Sequence, residues 1–449
     1  MDQTAERTPT CAVAIVGGGA AGLACAIAAG RIWSDRSGWP QDLLRLPAEE
    51  RPAGHLPVVL LEKQERVGRK LLATGNGRCN LSHQPLDRSA YHGADPAFAD
   101  AALNRFDLSE TLDWFRKLGL LCRTDPDGRV FPYSYQASAV LDLLRQELDR
   151  LPIAVLTGWR AVAIRPSSQD RLTILSDREP CLAAGQVVVT TGGLAAPAFG
   201  CQGDGYTLLN ALGHRLTEPH PAIVQLTTPR EAVRAWSGIK VEGQATLRAG
   251  SAILRQENGE ILFTDYGVSG PPVLQLSGLV HRHSGKSGQN LKLEIDFLPN
   301  LPEAAVYAFL VFRREQNSQL PLQSFLTGLV HKRIGQSLVR QVSGLPLDTP
   351  CARCDTLQLQ QLARLLKGWQ VPVTGTRDWT QAQVTAGGVC TADFDPGSMA
   401  SRLVPGLYAA GEVLDIDGDC GGYNLQWAWS SGNLAGESAA RASLGGWPL

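Results

Sequence analysis

Apolar residues fall into two rhythms along this 449-residue chain. Short, uncharged, β-branched runs at 12–16 (AVAIV), 58–61 (VVLL), 187–190 (VVVT) and 407–410 (LYAA) read as strands buried on both faces. That is how a parallel sheet is written. Residues 220–298 instead carry alternating segments ("GQATLRAG", "AILRQ", "LKLEIDF") between Gly, Asn and Ser turns. They predict antiparallel β-structure and a barrel. The stretches "PEAAVYAFLVFRREQ", "FLTGLVHKRIGQSLVRQV" and "DTLQLQQLARLLKGW" have helical spacing, and β-structure resumes near "QVPVTGTRDW". Two further segments, Ala20–Ala29 and about Asn424–Arg441, read as helices of very small residues.

This order of segments makes the fold class α/β. A discontinuous Rossmann-like domain is expected at 1–198 and 383–449. Into it are set a β-barrel insert (199–300 and 367–382) and a small helical subdomain (301–366). Gly17, Gly19 and Gly22 between the first strand and helix fit G-x-G-x-x-G. In a dinucleotide fold the first glycine turns the chain, the second admits a pyrophosphate and the third packs helix on strand. The helix start, through Ala20 and Ala21, then faces the anion with free N–H groups. A carboxylate should end the second strand and bind ribose hydroxyls; Glu62 does so, followed by Lys63. It stands about twice as far on as the usual gap of ~20 residues. Residues 31–56, rich in Pro, Trp and charge, account for the excess as a surface insertion.

Composition adds limits. Apolar residues are 44% and net charge is −1, so nothing draws the whole chain to nucleic acid or an anionic membrane. The polar start, MDQTAERTPT, has no signal core, and no run approaches the ~20 apolar residues of a membrane helix. Ten scattered cysteines read as reduced thiols of a cytoplasmic protein. No metal site is expected. Cys351-Ala-Arg-Cys354 lies between helices with no second pair nearby. His281 and His283 flank Arg282 on an expected hairpin tip, and His214 and His220 lie near the domain crossing.

Three further stretches carry chemistry. "RVGRKLLATGNGRCNLSH" (66–83) sets Arg69, Lys70, Gly75, Asn76, Gly77, Arg78, Cys79 and Asn80 in a polar loop. Such a loop can wrap a pyrophosphate or cap a flavin ring. "VVVTTGG" closes a strand on Thr191, Gly192 and Gly193. In "GLYAAGEVLDIDGDCGGYNLQWAWSSG" (406–432) the strand ends at Gly411 and Glu412, with Asp415 close behind. Both acids are candidates for ribityl or pyrophosphate contacts. Gly422 then opens a helix whose first residues are Tyr423, Asn424, Leu425 and Gln426. Its N-terminus would face the N1/O2 edge of an isoalloxazine and stabilise the anionic reduced form.

These motifs, with "GDGYTLLNALGH" (203–214), "GEILFTDYGVSGPPVLQLS" (259–277) and "VTAGGV" (384–389), resemble those of the BaiN/RdsA-type, aminoacetone-oxidase-like NAD(P)/FAD-dependent oxidoreductases. In that family the G-N-G-R-C-N element follows the first dinucleotide unit. Two departures stand out: the insertion is long, and 191–206 lacks the Lys-Ser and Ser-Thr usual there. The resemblance implies an FAD enzyme whose reduced flavin gives hydride to a conjugated C=C. The acceptor would be an enone-type small molecule or a 23S rRNA uridine, which becomes dihydrouridine. The candidate electron donor is NAD(P)H, and Cys79 is the candidate acid for the α-carbon. Two alternatives remain: an oxidase of a small amine, and a flavin-bearing RNA-binding or regulatory protein without turnover. Residues 220–345 hold thirteen Lys/Arg against nine Asp/Glu, which suits an rRNA partner without requiring one. No membrane partner is expected.

Overall fold

The computed structural model describes residues 9–35, 41–167, 171–178, 181–283 and 290–444. Lys286, the polar N-terminal residues 1–8 and the middle of the insertion (36–40) lie outside them. The first strand, β1 (Thr10–Val16), is buried at every residue but its first. Helix α1 (Ala20–Ser34) follows, and β2 (Val58–Leu61) pairs with β1 in parallel. Further along this unit are α2 (Arg69–Ala73), α3 (Ala137–Arg150), β3 (Ile153–Leu156) and β4 (Ala161–Pro166). Then come β5 (Leu172–Ser176), β6 (Leu182–Val189), α4 (Asp204–Asn210) and the buried β7 (Val384–Val389). The chain closes with β8 (Leu407–Ala409) and α5 (Tyr423–Ser443).

The main sheet runs β3-β2-β1-β6-β5-β4. β6 uses one edge twice, antiparallel to β5 at 182–184 and parallel to β8 at 187–189. The apolar runs therefore sit in the parallel part, as their lack of alternation requires. Helix α1 extends past the expected Ala29 because Ile32 and Trp33 continue the inward face, and Trp33 is fully buried.

Helices α1 and α5 touch backbone to backbone. A Cβ added at Gly432 would lie 2.4 Å from the carbonyl oxygen of Ala21. One at Gly436 would lie 2.3 Å from that of Cys25. Both distances are far inside contact, so only glycine allows this approach.

The chain divides into two compact units, Pro221–Ala382 and the remainder. Residues 199–220 belong to the first, past the expected crossing at 198. Asp204, at the start of α4, is the reason, since it binds Lys63 and Arg160 of the first unit. The second unit holds a seven-stranded antiparallel sheet, with the hairpin Lys240–Ala249/Ala252–Phe263 at its centre. Its outermost strands, Trp369–Pro372 and Gly375–Thr376, are separated by only two residues, so the sheet curls strongly. Among the described residues no ladder closes it. Helices Glu303–Gln316, Lys332–Ser343 and Thr356–Lys367 share one core with these strands, through Leu310, Leu338, Leu362 and Leu293. The last opens on a capping box of Asp355 and Gln358.

Two expectations are corrected. His281 and His283 lie in the last turn of the helix Pro271–His283, not on a hairpin tip. His283 bonds back to the carbonyl of Leu279 at 2.9 Å, and the Pro271-Pro272 start favours the helix. The insertion is not only surface. Arg51 is 1% exposed and donates to the carbonyls of Leu46, Leu151, Ile153, Leu44 and Asp149. Burial holds its pKa below the ordinary arginine value.

Arg51 thus ties the insertion to the ends of α3 and β3, and among the described residues no carboxylate forms an ion pair with it. Arg51→Met should leave those carbonyls without donors and cost about 3 kcal/mol or more. Denaturant unfolding followed by circular dichroism measures this; a loss under ~1 kcal/mol would mean water replaces the guanidinium.

Candidate functional site

The glycine loop divides its labour by position. Gly17 has φ +110°, and a Cβ there would meet the Thr190 carbonyl oxygen at 2.7 Å. At Gly22 a Cβ would lie 1.8 Å from the Gly17 oxygen, so helix and turn are in contact. Gly19, the first boundary residue of α1, differs from both: nothing lies within 4 Å of its added Cβ. The helix has neither a side-chain cap nor an acid in its first turn. Gly19, Ala20 and Ala21 therefore frame a backbone end ready for an anion.

Glu62 closes this corner. Its Oε2 accepts from the Gly18 N–H at 2.8 Å, and its Oε1 from the Gln64 N–H at 2.7 Å. Burial raises its pKa, against the pull of those N–H groups. Lys63 turns away to Asp204, which Arg160 also holds at 2.7 Å. Burial opposes charge on Asp204, but Lys63 and Arg160 keep its pKa below the usual carboxylate value.

Lys70 reaches across the sequence to Glu412 at 2.8 Å, and the other Glu412 oxygen accepts from the Thr385 N–H at 2.8 Å. Burial lowers the Lys70 pKa, but the Glu412 carboxylate outweighs it and leaves the ammonium above its ordinary value. Arg69 is spent at the surface on Gln64. Of the β6 end, Gly192 is left-handed (φ +72°) and Gly193 presses on Thr385. Thr191 packs on Gly205, whose added Cβ would lie 2.1 Å from its hydroxyl.

The 74–80 loop is left-handed at Gly75, Asn76, Gly77 and Cys79. Asn76, Gly77 and Arg78 are exposed, and Arg78 lies over the Phe131 ring at 5.0 Å. Cys79 points the other way. It is fully buried in the core, and burial pushes its thiol up to about 12. The expected role as general acid loses its geometric basis, because an enclosed thiol reaches no substrate. Asn80, next in the chain, leaves its Oδ1 buried and without a hydrogen-bond partner.

That oxygen faces the start of α5. A Cβ at Gly422 (φ +107°) would lie 2.8 Å from Asn80 Oδ1 and 2.3 Å from the Ser82 carbonyl oxygen. The helix has no side-chain cap. Tyr423 is buried, stacked on His83 at 4.9 Å and edge-on to Tyr91 at 5.7 Å. Asn424 exchanges bonds with Gly418, accepting its N–H at 2.9 Å and donating to its carbonyl at 2.7 Å.

Leu425 is half-buried, while Gln426 is entirely enclosed. Gln426 accepts from Ser82 at 2.7 Å and donates to Thr111 at 2.8 Å. Its side-chain amide is taken up by this internal network. Asp415 is buried and accepts from the Ala94 N–H at 3.2 Å. Gly411 (φ +77°) ties the late strand to α5, donating to Ser431 and accepting from Trp427.

The Ala21 end of α1 lies level with Gly432, nine residues along α5, or about 14 Å from that helix's own start. Two uncapped helix starts, an acid beside one and an unpartnered acceptor beside the other, are the groups an extended dinucleotide needs. The Asn80 oxygen and the open space at Gly19 fit FAD. Among the described residues no His/Cys/Asp/Glu cluster could hold a metal. Cys351 and Cys354 are buried free thiols, the former against the Asn317 carbonyl at 3.1 Å.

The description "HI0933-like protein Rossmann domain" matches residues 46–438. The chain is 37% identical to the 3-dehydro-bile acid delta(4,6)-reductase of Clostridium scindens, over 95% of this chain and 98% of that protein. It is 29% identical to the ribosomal RNA dihydrouridine synthase of Escherichia coli, over 93% and 95%. Among solved structures it is similar to the 3-ketosteroid-delta4-(5alpha)-dehydrogenase of Rhodococcus jostii RHA1, with 14% identity, TM-score 0.47 and 98% of both chains covered.

Gly19→Val should give a folded protein without FAD. Its side chain meets nothing of the protein but occupies the anion's approach, so melting should stay within about 3 °C of flavin-free wild type. Gly22→Ala should instead cost about 3 kcal/mol or more by forcing α1 off the turn. Flavin absorbance and unfolding curves separate the two; FAD retained in Gly19→Val would move the site elsewhere.

Proposed function

The chain belongs to the HI0933-like Rossmann family, and on that footing we propose that this FAD-dependent oxidoreductase reduces a C=C bond conjugated to a carbonyl in a small-molecule acceptor. The observation that carries this reading is the 37% identity, over nearly the full length of both chains, to a relative named for reducing delta(4,6) bonds of 3-dehydro-bile acids. A double bond at C4 beside a C3 ketone is an enone, electron-poor at its β-carbon. Bound reduced FAD supplies the hydride for such a carbon.

The protein's own residues hold and orient. The α1 start, through Gly19, Ala20 and Ala21, receives the pyrophosphate, and Glu62 receives the adenosine ribose. Asn80 offers its unpartnered oxygen to an N–H of the ring system. The uncapped start of α5 stabilises negative charge developing beside it. Glu412 and Lys70, already paired, give a fixed polar wall. With Cys79 enclosed and Tyr423 stacked between two rings, water delivers the α-carbon proton. NAD(P)H is the reductant we assign.

A second reading, reduction of an rRNA uridine, is favoured by the relatives in E. coli and Haemophilus influenzae, 29% and 27% identical. Uracil is also a C=C conjugated to a carbonyl, so the reaction is the same in kind. In unit two the +4 balance of residues 220–345 is the feature that would serve it. Among the described residues no helix is long and apolar enough to cross a membrane. A cytoplasmic location suits both readings.

The test is anaerobic: flavin reduced with NADPH is mixed with a 3-oxo-4-ene steroid or a uridine-containing rRNA fragment. Reoxidation by the steroid is expected. Reoxidation by the RNA alone would replace the first reading with the second, and peroxide formation with an amine under air would replace both. In the same assay Cys79→Ser should react within about twofold of wild type. A slowing of ~10²-fold, the size of a lost general acid, would restore the thiol as proton donor.

A further inference from the structure

On the first unit, two arginines and three aromatic rings form one surface. Strands Cys122–Thr124 and Arg129–Pro132 pair antiparallel, which sets Arg123 opposite Phe131. The Arg78 guanidinium lies over Phe131 at 5.0 Å and over Tyr135 at 5.8 Å. The Arg123 guanidinium lies over Tyr135 at 4.9 Å and over Tyr133 at 5.3 Å. Each charge thus bridges two rings, and Tyr135 is shared by both. The Tyr135 hydroxyl donates to Asp125 Oδ1, which fixes the shared ring. At the outer end Tyr133 is 59% exposed, and its N–H donates to the carbonyl of Leu121, itself 65% exposed.

The acids beside this surface do not neutralise it. Asp125 meets Arg123 at Nε, 3.7 Å away and past hydrogen-bond reach. Asp127 is taken by Arg129 at 3.2 Å. Arg78 donates through Nε to the Gly75 carbonyl at 3.3 Å, and among the described residues no carboxylate pairs with it. That bond and the Phe131 ring fix the plane of the Arg78 guanidinium while the side chain stays exposed. Two like charges held against one ring repel each other, and a bound anion relieves that. Gly75 joins the surface to the cofactor corner: a Cβ there would lie 3.4 Å from Phe131 Cε1 and 3.0 Å from the Asn80 nitrogen.

We propose that this surface docks NADPH, the phosphorylated pyridine dinucleotide that reduces the flavin. A guanidinium stacked on a ring keeps its edge for phosphate oxygens, which it meets with two parallel N–H bonds. Two such forks match a dinucleotide that carries both a pyrophosphate and a 2′-phosphate. The open face of Tyr133 takes a base by stacking, which asks only for a π-face. Arg78 stands two residues before Asn80, so the ligand lies beside the loop that serves the flavin ring. NADPH docked here surrenders its hydride to the flavin and leaves as NADP⁺. The inference rests on NAD(P)H as the assigned reductant, and it adds a docking surface and a preference for the phosphorylated form.

The test is anaerobic stopped-flow reduction of the full-length, flavin-loaded protein by NADPH and by NADH. Wild type should bind NADPH with the lower Kd, and added salt should raise that Kd. Arg78→Met, Arg123→Met and Tyr133→Ala should each raise it about tenfold or more. Arg123→Lys should recover little, because a point charge neither stacks nor forks. In Arg123→Met and Tyr133→Ala, flavin content, melting temperature and reoxidation of dithionite-reduced flavin by the 3-oxo-4-ene steroid should stay unchanged. An unchanged NADPH Kd in all three variants, with the steroid still reduced, would overturn the docking surface and leave the enone reading standing. Weakened NADPH binding in the variants while even wild type reduces no steroid would keep the surface and overturn the enone reading. A wild-type flavin that neither NADPH nor NADH reduces would overturn surface and reductant together. Variants that lose binding of an rRNA fragment but keep NADPH would give the surface to RNA and overturn the proposal.

Discussion

The first unit depends on one contact, the backbone of α5 against the backbone of α1. Gly432 and Gly436 stand one turn apart and sit on the carbonyls of Ala21 and Cys25. No side chain intervenes, so the spacing is set by main-chain radii rather than by rotamers. Gly22 continues the same logic, resting against the Gly17 carbonyl. Gly17 in turn is pinned by Thr190, whose hydroxyl donates to its oxygen at 2.8 Å. The positions of both helix starts relative to the sheet follow from these few glycines. Larger side chains at the contact would push α5 outward and carry its N-terminus away from Asn80.

The charges around this frame are mostly used up inside the protein. Lys70 with Glu412, Lys63 with Asp204, and Glu62 with two N–H groups each satisfy their partners before any ligand arrives. What the site offers outward, beside the remaining lone pairs of Glu62, is therefore mainly backbone: free helix ends and one amide oxygen. Fixed dipoles of this kind need little reorganisation when a charged group enters, which is what a redox cofactor with a changing charge requires. The pairs have a second use, since Lys70–Glu412 joins residues 342 positions apart.

Much of this was legible in the sequence, and the reason is local. The strands are apolar runs, the turn is a glycine spacing, and the small-residue helices announce a close approach. The capping box at Asp355 and Gln358 is likewise written within four residues. What escaped was every feature whose partner lies far away. Arg51 reads as one charge in a polar insertion, yet its acceptors include Leu151 and Ile153, about a hundred residues on. Lys63 and Arg69 looked available to a phosphate, but Lys63 meets Asp204 across 141 positions. Gln426 looked like a ligand contact at a helix start, and its partners Ser82 and Thr111 lie more than 300 residues earlier.

The 74–80 loop shows how a residue can matter to a site without touching it. Left-handed backbone at Asn76 and Cys79 costs about 1 kcal/mol or more at each, and something must offset that. Burying Cys79 does so, because a thiol in a core behaves as a small apolar group. The alternation of the loop then follows: Asn76, Gly77 and Arg78 face outward, Cys79 faces in, and Asn80 is delivered beside Gly422. On this account the cysteine anchors the loop and the asparagine uses the position. The G-N-G-R-C-N run is thus a mounting for one carbonyl oxygen, with the glycines allowing the turn and the thiol holding it closed.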